Sequence, residues 1–312
     1  MKHARLVFAR ASLHWGFVVR QLQATAAQLA LALAPPTTIV GAFAAPLLRT
    51  LGFVDKALRR SGTHKTLSAH FECALRASLA ASMGVLPREM QEGAAGLSVH
   101  EELSRLSAGS YKGGGAWEEA LKASPGSFKF YSKFITEALP VQAVGAAYGP
   151  GVKVDLVWVF DASKLATCLS GLDISIEDLD KAGVAAAYGV SRLGSKEGIL
   201  SVEDAKYLRF GDAELRLAKA GEVFETHTYV PAECAEPLVG GSAATVELWD
   251  FDYQPKRFWA PALSNVAIVF APSRSALPKY RVADDCTACI IRVGDLDAVA
   301  LFGGAVGGGD RE

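Results

Sequence analysis

The chain has 312 residues and a mass of 32.9 kDa, with 50% hydrophobic and 21% charged residues, which excludes a disordered chain and leaves room for one large domain or two small ones. The longest apolar stretches, Ala24 to Ala34 and Thr37 to Leu48, are split by Pro35 and Pro36 and fall short of the roughly 18–20 residues that cross a bilayer. No membrane contact is expected, and a formal net charge of −1 points by itself to no particular partner. Arg10 and Arg20 interrupt the start, and prolines stand where small residues would mark a cleavage site, so no signal peptide is expected and the chain is assigned to the cytoplasm.

In chain order, Ala4 to Leu13 is rich in β-formers and reads as a first strand with Arg5 and Arg10 exposed along it. Pro35-Pro36-Thr37-Thr38 is a helix-start signal, followed at helical spacing by Val40, Phe43, Ala44, Leu47, Leu48 and Leu51. Gly41 and Pro46 inside that helix call for tight packing or a bend. A second amphipathic helix is predicted from Leu67 to about Met83, and Ser98 with Glu101 resembles a capping box before a brief third. Gly113 to Gly115 is a break before Trp117 to Leu121, so residues 62–125 read as a helical insertion. Ser127 to Ile135 alternates as a half-buried strand, with Phe128, Phe130 and Ser132 on one face and Lys129, Tyr131 and Lys133 on the other. Gly145 to Gly151 reads as a loop or hairpin, and Val152 to Phe160 as a buried strand.

Ser175 and Asp178 form a capping box for a helix that Gly189 should end, and Ile199 to Val202 can pair as a strand. The resulting order over residues 1–205, strand, helix, strand, strand, helix, strand, is that of an α+β, ferredoxin-like (RRM-like) βαββαβ core. Residues 206–302 show β-like runs at Val223 to Val230, Thr245 to Phe251, Val266 to Phe270 and Cys289 to Val293, giving a β-rich C-terminal extension. Residues 303–312 form a glycine-rich tail, which no helix follows and which is therefore no phosphate loop.

Charge is unevenly placed. Residues 1–65 hold nine Lys or Arg against Asp55 alone (+8); residues 66–133 balance at seven each; residues 134–188 give −4 and residues 189–312 give −5. A basic N-terminal part suits a polyanion-binding face, or equally a face paired with acids elsewhere in the fold. The five cysteines are scattered and odd in number, so no disulfide framework is expected and a reducing compartment fits. Cys286 and Cys289 form one CxxC without the further ligands zinc needs, so no metal is assigned. Cys289 reads as a small apolar filler of a buried strand.

The loop Gly189-Val190-Ser191-Arg192-Leu193-Gly194-Ser195-Lys196-Glu197-Gly198 nearly imitates a P-loop. Its order is Gly-Ser-Lys rather than Gly-Lys-Ser/Thr, and it leads from helix into strand, so nucleotide hydrolysis is disfavoured. Its glycines could form a backbone nest for anions with Arg192 and Lys196 beside it, or merely end a helix and turn the chain.

Pro35 to Leu47 (PPTTIVGAFAAPL), followed later by Tyr188 to Gly198 (YGVSRLGSKEG), resembles the Cas-five family of CRISPR-associated proteins in the RAMP superfamily, nearest its subtype I-A (Apern). The resemblance covers about the first 205 residues and implies a ferredoxin-like core with a glycine-rich loop between its second helix and fourth strand. It implies a subunit of a type I-A Cascade complex that grips the 5′ handle of the CRISPR RNA and caps the Cas-seven backbone. A Cas-eight large subunit and the other Cascade subunits are then further partners.

A single-stranded handle would be held by cations tracking its phosphates and by planes stacking on its bases. Arg192, Ser195 and Lys196 with the Gly194 backbone are the candidate phosphate grip, and Arg10, Arg20, Lys129, Tyr131 and Lys133 the secondary contacts. No cofactor is implied. A rival reading is a metal-independent ribonuclease that processes precursor RNA, as relatives in subtype I-C do, with His14, His64 or His70 as base and Lys65 or Lys133 as the cation at the phosphate. A small-molecule enzyme finds no motif: GxSxG, HExxH, Walker A and the dinucleotide fingerprint are all missing.

Overall fold

A computed structural model describes residues 2–19, 30–52, 65–87, 97–106, 141–195, 198–238, 243–249, 266–272 and 277–303. The elements are β1 (Ala4–Leu13), β2 (Gly16–Phe17), α1 (Pro36–Thr50), α2 (Lys65–Ala77), β3 (Ser78–Val85), β4 (Ser98–Leu106), β5 (Val141–Tyr148) and β6 (Lys153–Asp161). They continue with α3 (Ala162–Cys168), α4 (Ile176–Tyr188), β7 (Leu200–Arg209), β8 (Leu215–Lys219), β9 (Val223–Glu225), β10 (Val230–Pro231) and β11 (Ala235–Pro237). Five strands close the chain: β12 (Ala243–Trp249), β13 (Val266–Pro272), β14 (Lys279–Val282), β15 (Cys286–Val293) and β16 (Leu296–Gly303). The fold is mixed α/β and rich in antiparallel sheet, with few helices.

The central sheet runs β3-β6-β1-β7, every neighbouring pair antiparallel. Its two inner strands are buried on both faces, which is why they read as nearly continuous apolar runs. Along β1, Val7, Ala9, Ala11 and Leu13 face a core shared with Ile39, Phe43 and Leu47 of α1 and Leu179 and Ala186 of α4. Leu6 and Phe8 face the other way, against Cys289, Ile291, Ala298 and Ala300 of the β8-β15-β16 sheet. Period-two alternation thus packs helices on one face and a second sheet on the other.

Local signals hold where they are strong. Ser175 caps α4 through a complete capping box with Asp178. α1 starts on Pro36 and runs through Pro46; Gly41 packs against the Phe71 ring, to which a Cβ would lie 3.4 Å away.

Several expectations are corrected. The helix predicted from Leu67 to Met83 ends at Ala77, and Ser78 begins a strand. Leu75, Leu79 and Met83 do repeat every four residues, but pairing of Ala81 with Trp158 and Met83 with Leu156 overrides that period. Ser78 marks the switch: its hydroxyl donates to Ala74 O (2.8 Å) and accepts from Trp158 Nε1 (2.9 Å). The segment after Ser98 is no helix but β4, paired to β5, which also takes in Gly145. Of the helical insertion expected at 62–125, the described residues therefore contain one helix and two strands. The strand expected at Ser127 to Ile135 lies outside the described residues, and β3 holds the place of second strand in the central sheet.

Arg5 and Arg10 are not exposed along β1. Arg5 is buried and grips Asp180 of α4 with Nε and Nη2 (2.7 and 3.1 Å), while Arg10 grips Asp155 of β6 with the same two nitrogens (both 2.8 Å). Part of the N-terminal basic excess is thus answered by later acids. The cysteines are corrected too: Cys73 of α2 bonds Cys168 at the end of α3, and Cys234 bonds Cys286. Cys289 alone is free, buried on the opposite face of β15 from Cys286. The CxxC is split because residues three apart on a strand point to opposite sides.

Candidate functional site

The two segments singled out in the sequence, 35–47 and 188–198, meet in space. Gly189, just past α4, lies so close to α1 that a Cβ there would stand 2.9 Å from Pro46 Cβ. Both segments line one cavity of about 470 Å³, together with Val18, Val19 and Phe71. Its polar lining comes from Thr37, Thr38, Arg49, Ser191 and Arg192, and none of the described residues lining it is acidic. Thr37 and Thr38 belong to the first turn of α1; the prolines before them carry no N–H, and Thr38 N–H donates to Pro35 O (2.9 Å), so their hydroxyls are what they offer the cavity. Arg49 and Arg192 are exposed. The cavity therefore combines positive charge, hydroxyls and apolar wall.

The loop itself is tightly self-bonded. Leu193 is buried and its N–H donates to Gly198 O (2.7 Å); Leu200 N–H donates to Ser191 O (3.1 Å), and Gly198 N–H to Ser195 O (3.0 Å). Arg192 sits opposite Ile199 in this small hairpin. The loop docks on the chain after β2 through Ser195 N–H to Val18 O (3.1 Å). Gly194 has φ +75°, and a Cβ there would lie 2.6 Å from that same carbonyl, so only glycine fits. The glycines accordingly serve the turn and the docking. The amides of Leu193, Ser195 and Gly198 are committed to carbonyls of the chain and so take no part in an anion nest, and Arg192 is the cation among the described residues of the loop.

Of the candidate contacts, Arg192, Gly194 and Ser195 are together. Arg10 is not with them: it is closed onto Asp155, which also accepts from His227 Nε2 (2.9 Å). Burial pushes the Asp155 carboxyl up, but the hydrogen bonds from Arg10 and His227 and the Arg10 charge outweigh it and hold the group below the usual carboxylate range. Lys196, Arg20, Lys129, Tyr131 and Lys133 lie outside the described residues. Arg49 and Phe71 are the lining groups that sequence reading did not single out. Arg49 was legible as the last-turn cation of α1, but its meeting with Arg192 depends on a contact between helices far apart in the chain.

Among the histidines of the catalytic reading, His14 stands beside the loop. Its N–H donates to Ile199 O (3.1 Å), and its ring Nε2 lies 2.7 Å from Ser201 Oγ. His64 lies outside the described residues.

No protein-family model matches the chain, and no curated protein does. Among solved structures, the chain is similar to a crystal structure of a CRISPR protein from Archaeoglobus fulgidus, with a TM-score of 0.50 and 14% identity. The match covers 96% of this chain and all of that one, a likeness of fold along nearly the whole length.

Proposed function

We propose that the protein is a non-catalytic, RNA-binding subunit of a type I-A CRISPR Cascade complex, gripping the 5′ handle of the CRISPR RNA in the cytoplasm. In this reading it caps the Cas-seven backbone and meets the Cas-eight large subunit, in antiviral defence. The observation that carries the reading is the convergence of the described residues of segments 35–47 and 188–198 on one cavity whose described lining holds Arg49 and Arg192 and no acid. Two further observations support it. The central sheet, with β1 and β6 inside and β3 and β7 outside, has the strand order of a ferredoxin-like core, joined in the sequence strand, helix, strand, strand, helix, strand. The fold is also like that of a protein described as a CRISPR protein.

The test is binding of the purified protein to its CRISPR repeat RNA over a salt series, with a denaturing gel on the same samples. Intact RNA, bound with a salt slope that falls by about one in Arg192→Ala and again in Lys196→Ala, is the expected result. A second reading, a ribonuclease acting on precursor RNA, is favoured only by His14 beside the loop. It predicts a discrete cut that His14→Ala abolishes while RNA binding persists.

A further inference from the structure

The cavity beside the glycine-rich loop carries more than a phosphate grip would need. Val18, Val19, Ala42, Ala45, Pro46 and Phe71 give it apolar lining beside its hydroxyls and arginines. A bare phosphate would leave the apolar lining idle, and a purely apolar ligand would leave the hydroxyls and the two guanidinium groups without a partner. A nucleotide satisfies both: an aromatic plane for the apolar lining, hydrogen-bonding edges for the hydroxyls, and charge for the arginines. At about 470 Å³ the space is that of a small-ligand pocket. It is also pre-formed, since Gly41 lets the half-buried Phe71 ring lie against α1.

We infer that this cavity receives a single nucleobase turned out of the bound RNA strand, stacked against Phe71, with Thr37 and Thr38 at its edge and Arg49 and Arg192 on the flanking phosphates. The inference rests on the RNA-binding reading above and adds the part of the RNA that enters. Such a pocket holds one position of the strand in fixed register, whereas cations alone let a strand slide.

The experiment uses the full chain and short repeat-RNA oligonucleotides carrying 2-aminopurine at one position each. Ala45 is exposed on α1 and lines the cavity, so Ala45→Leu fills the space without disturbing the core. One position is expected to change its fluorescence on binding to the wild type. Ala45→Leu should abolish that signal and weaken affinity about tenfold, with an unchanged salt slope and an unchanged thermal melt. Thr38→Val, which removes one hydroxyl while keeping the shape, should weaken the same position by a smaller factor. Arg192→Ala should instead lower the salt slope. Wild-type affinity and no position-specific loss in Ala45→Leu, with Arg192→Ala still impaired, would overturn the base pocket and leave the RNA-binding reading standing. No RNA binding by the wild-type protein would overturn the RNA-binding reading, and the pocket with it.

Discussion

Asp155 is the residue on which two parts of the chain are joined. It lies on β6, wholly buried, between Arg10 of the neighbouring strand and His227 of the segment after β9. A carboxylate can only accept, so the His227 ring carries its hydrogen on Nε2; its Nδ1 finds no partner among the described residues. Removing one member of such a group leaves an uncompensated buried charge. Asp155→Asn is therefore expected to cost about 3 kcal/mol in denaturant unfolding; a loss under about 1 kcal/mol would mean that the pair contributes little. Tyr280 behaves oppositely. Burial pushes its phenol up to about 12, and its hydroxyl has no partner among the described residues. Tyr280→Phe should leave stability unchanged or raise it by about 1 kcal/mol, measured the same way.

Helices α2 and α3 show how elements far apart in the chain are tied. Cys73 and Cys168 are 95 residues apart in sequence, with Cα atoms 5.6 Å from each other. Thiol titration in denaturant should detect one group, Cys289, before reduction and all five after it. Five without reductant would contradict both bonds. Burial pushes the Cys289 thiol up, so it should resist alkylation in the folded protein. The pairing was not legible in the cysteine spacing, because a 95-residue separation carries no geometric information until the helices pack. Elements with strong local punctuation were legible: β1 has the ends expected, and α4 carries the box foreseen at Ser175 and Asp178. The strands β3 and β4 were not, since their conformation is decided by partners Val154 to Phe160 and Val141 to Tyr148, far along the chain.

Across the whole molecule, ion pairs bind the layers. Asp180 of α4 accepts from Arg5 and from the Tyr207 hydroxyl (2.8 Å), fastening the helix to the sheet. Its burial raises its pKa, but these hydrogen bonds and the neighbouring arginines prevail, so it lies below its ordinary value, as do Asp155 and the more exposed Glu203. A carboxylate depressed on folding gives stability that is complete above its unfolded pKa and is lost as pH falls through the folded one. With ordinary values of 3.8 and 4.5 for these groups, the melting temperature should be level above about pH 5 and fall steadily below about pH 4. A melting temperature that stays level below pH 4 would show that these pairs do not couple to folding.

Composition, period and capping were enough to establish a chain of mixed helix and strand with a first strand from Ala4, a proline-started helix at Pro36, a boxed helix after Ser175 and a glycine loop of special geometry. These are properties of neighbours along the chain, set by backbone stereochemistry and short-range hydrogen bonds. The closing of Arg5 and Arg10 onto Asp180 and Asp155, the two cysteine bonds, the turn from helix to strand at Ser78 and the meeting of Arg49 with Arg192 around one cavity depend on residues tens to hundreds of positions apart. Those were settled only when burial brought distant groups together, where pairing of strands and the cost of an unpaired buried charge outweigh local preference.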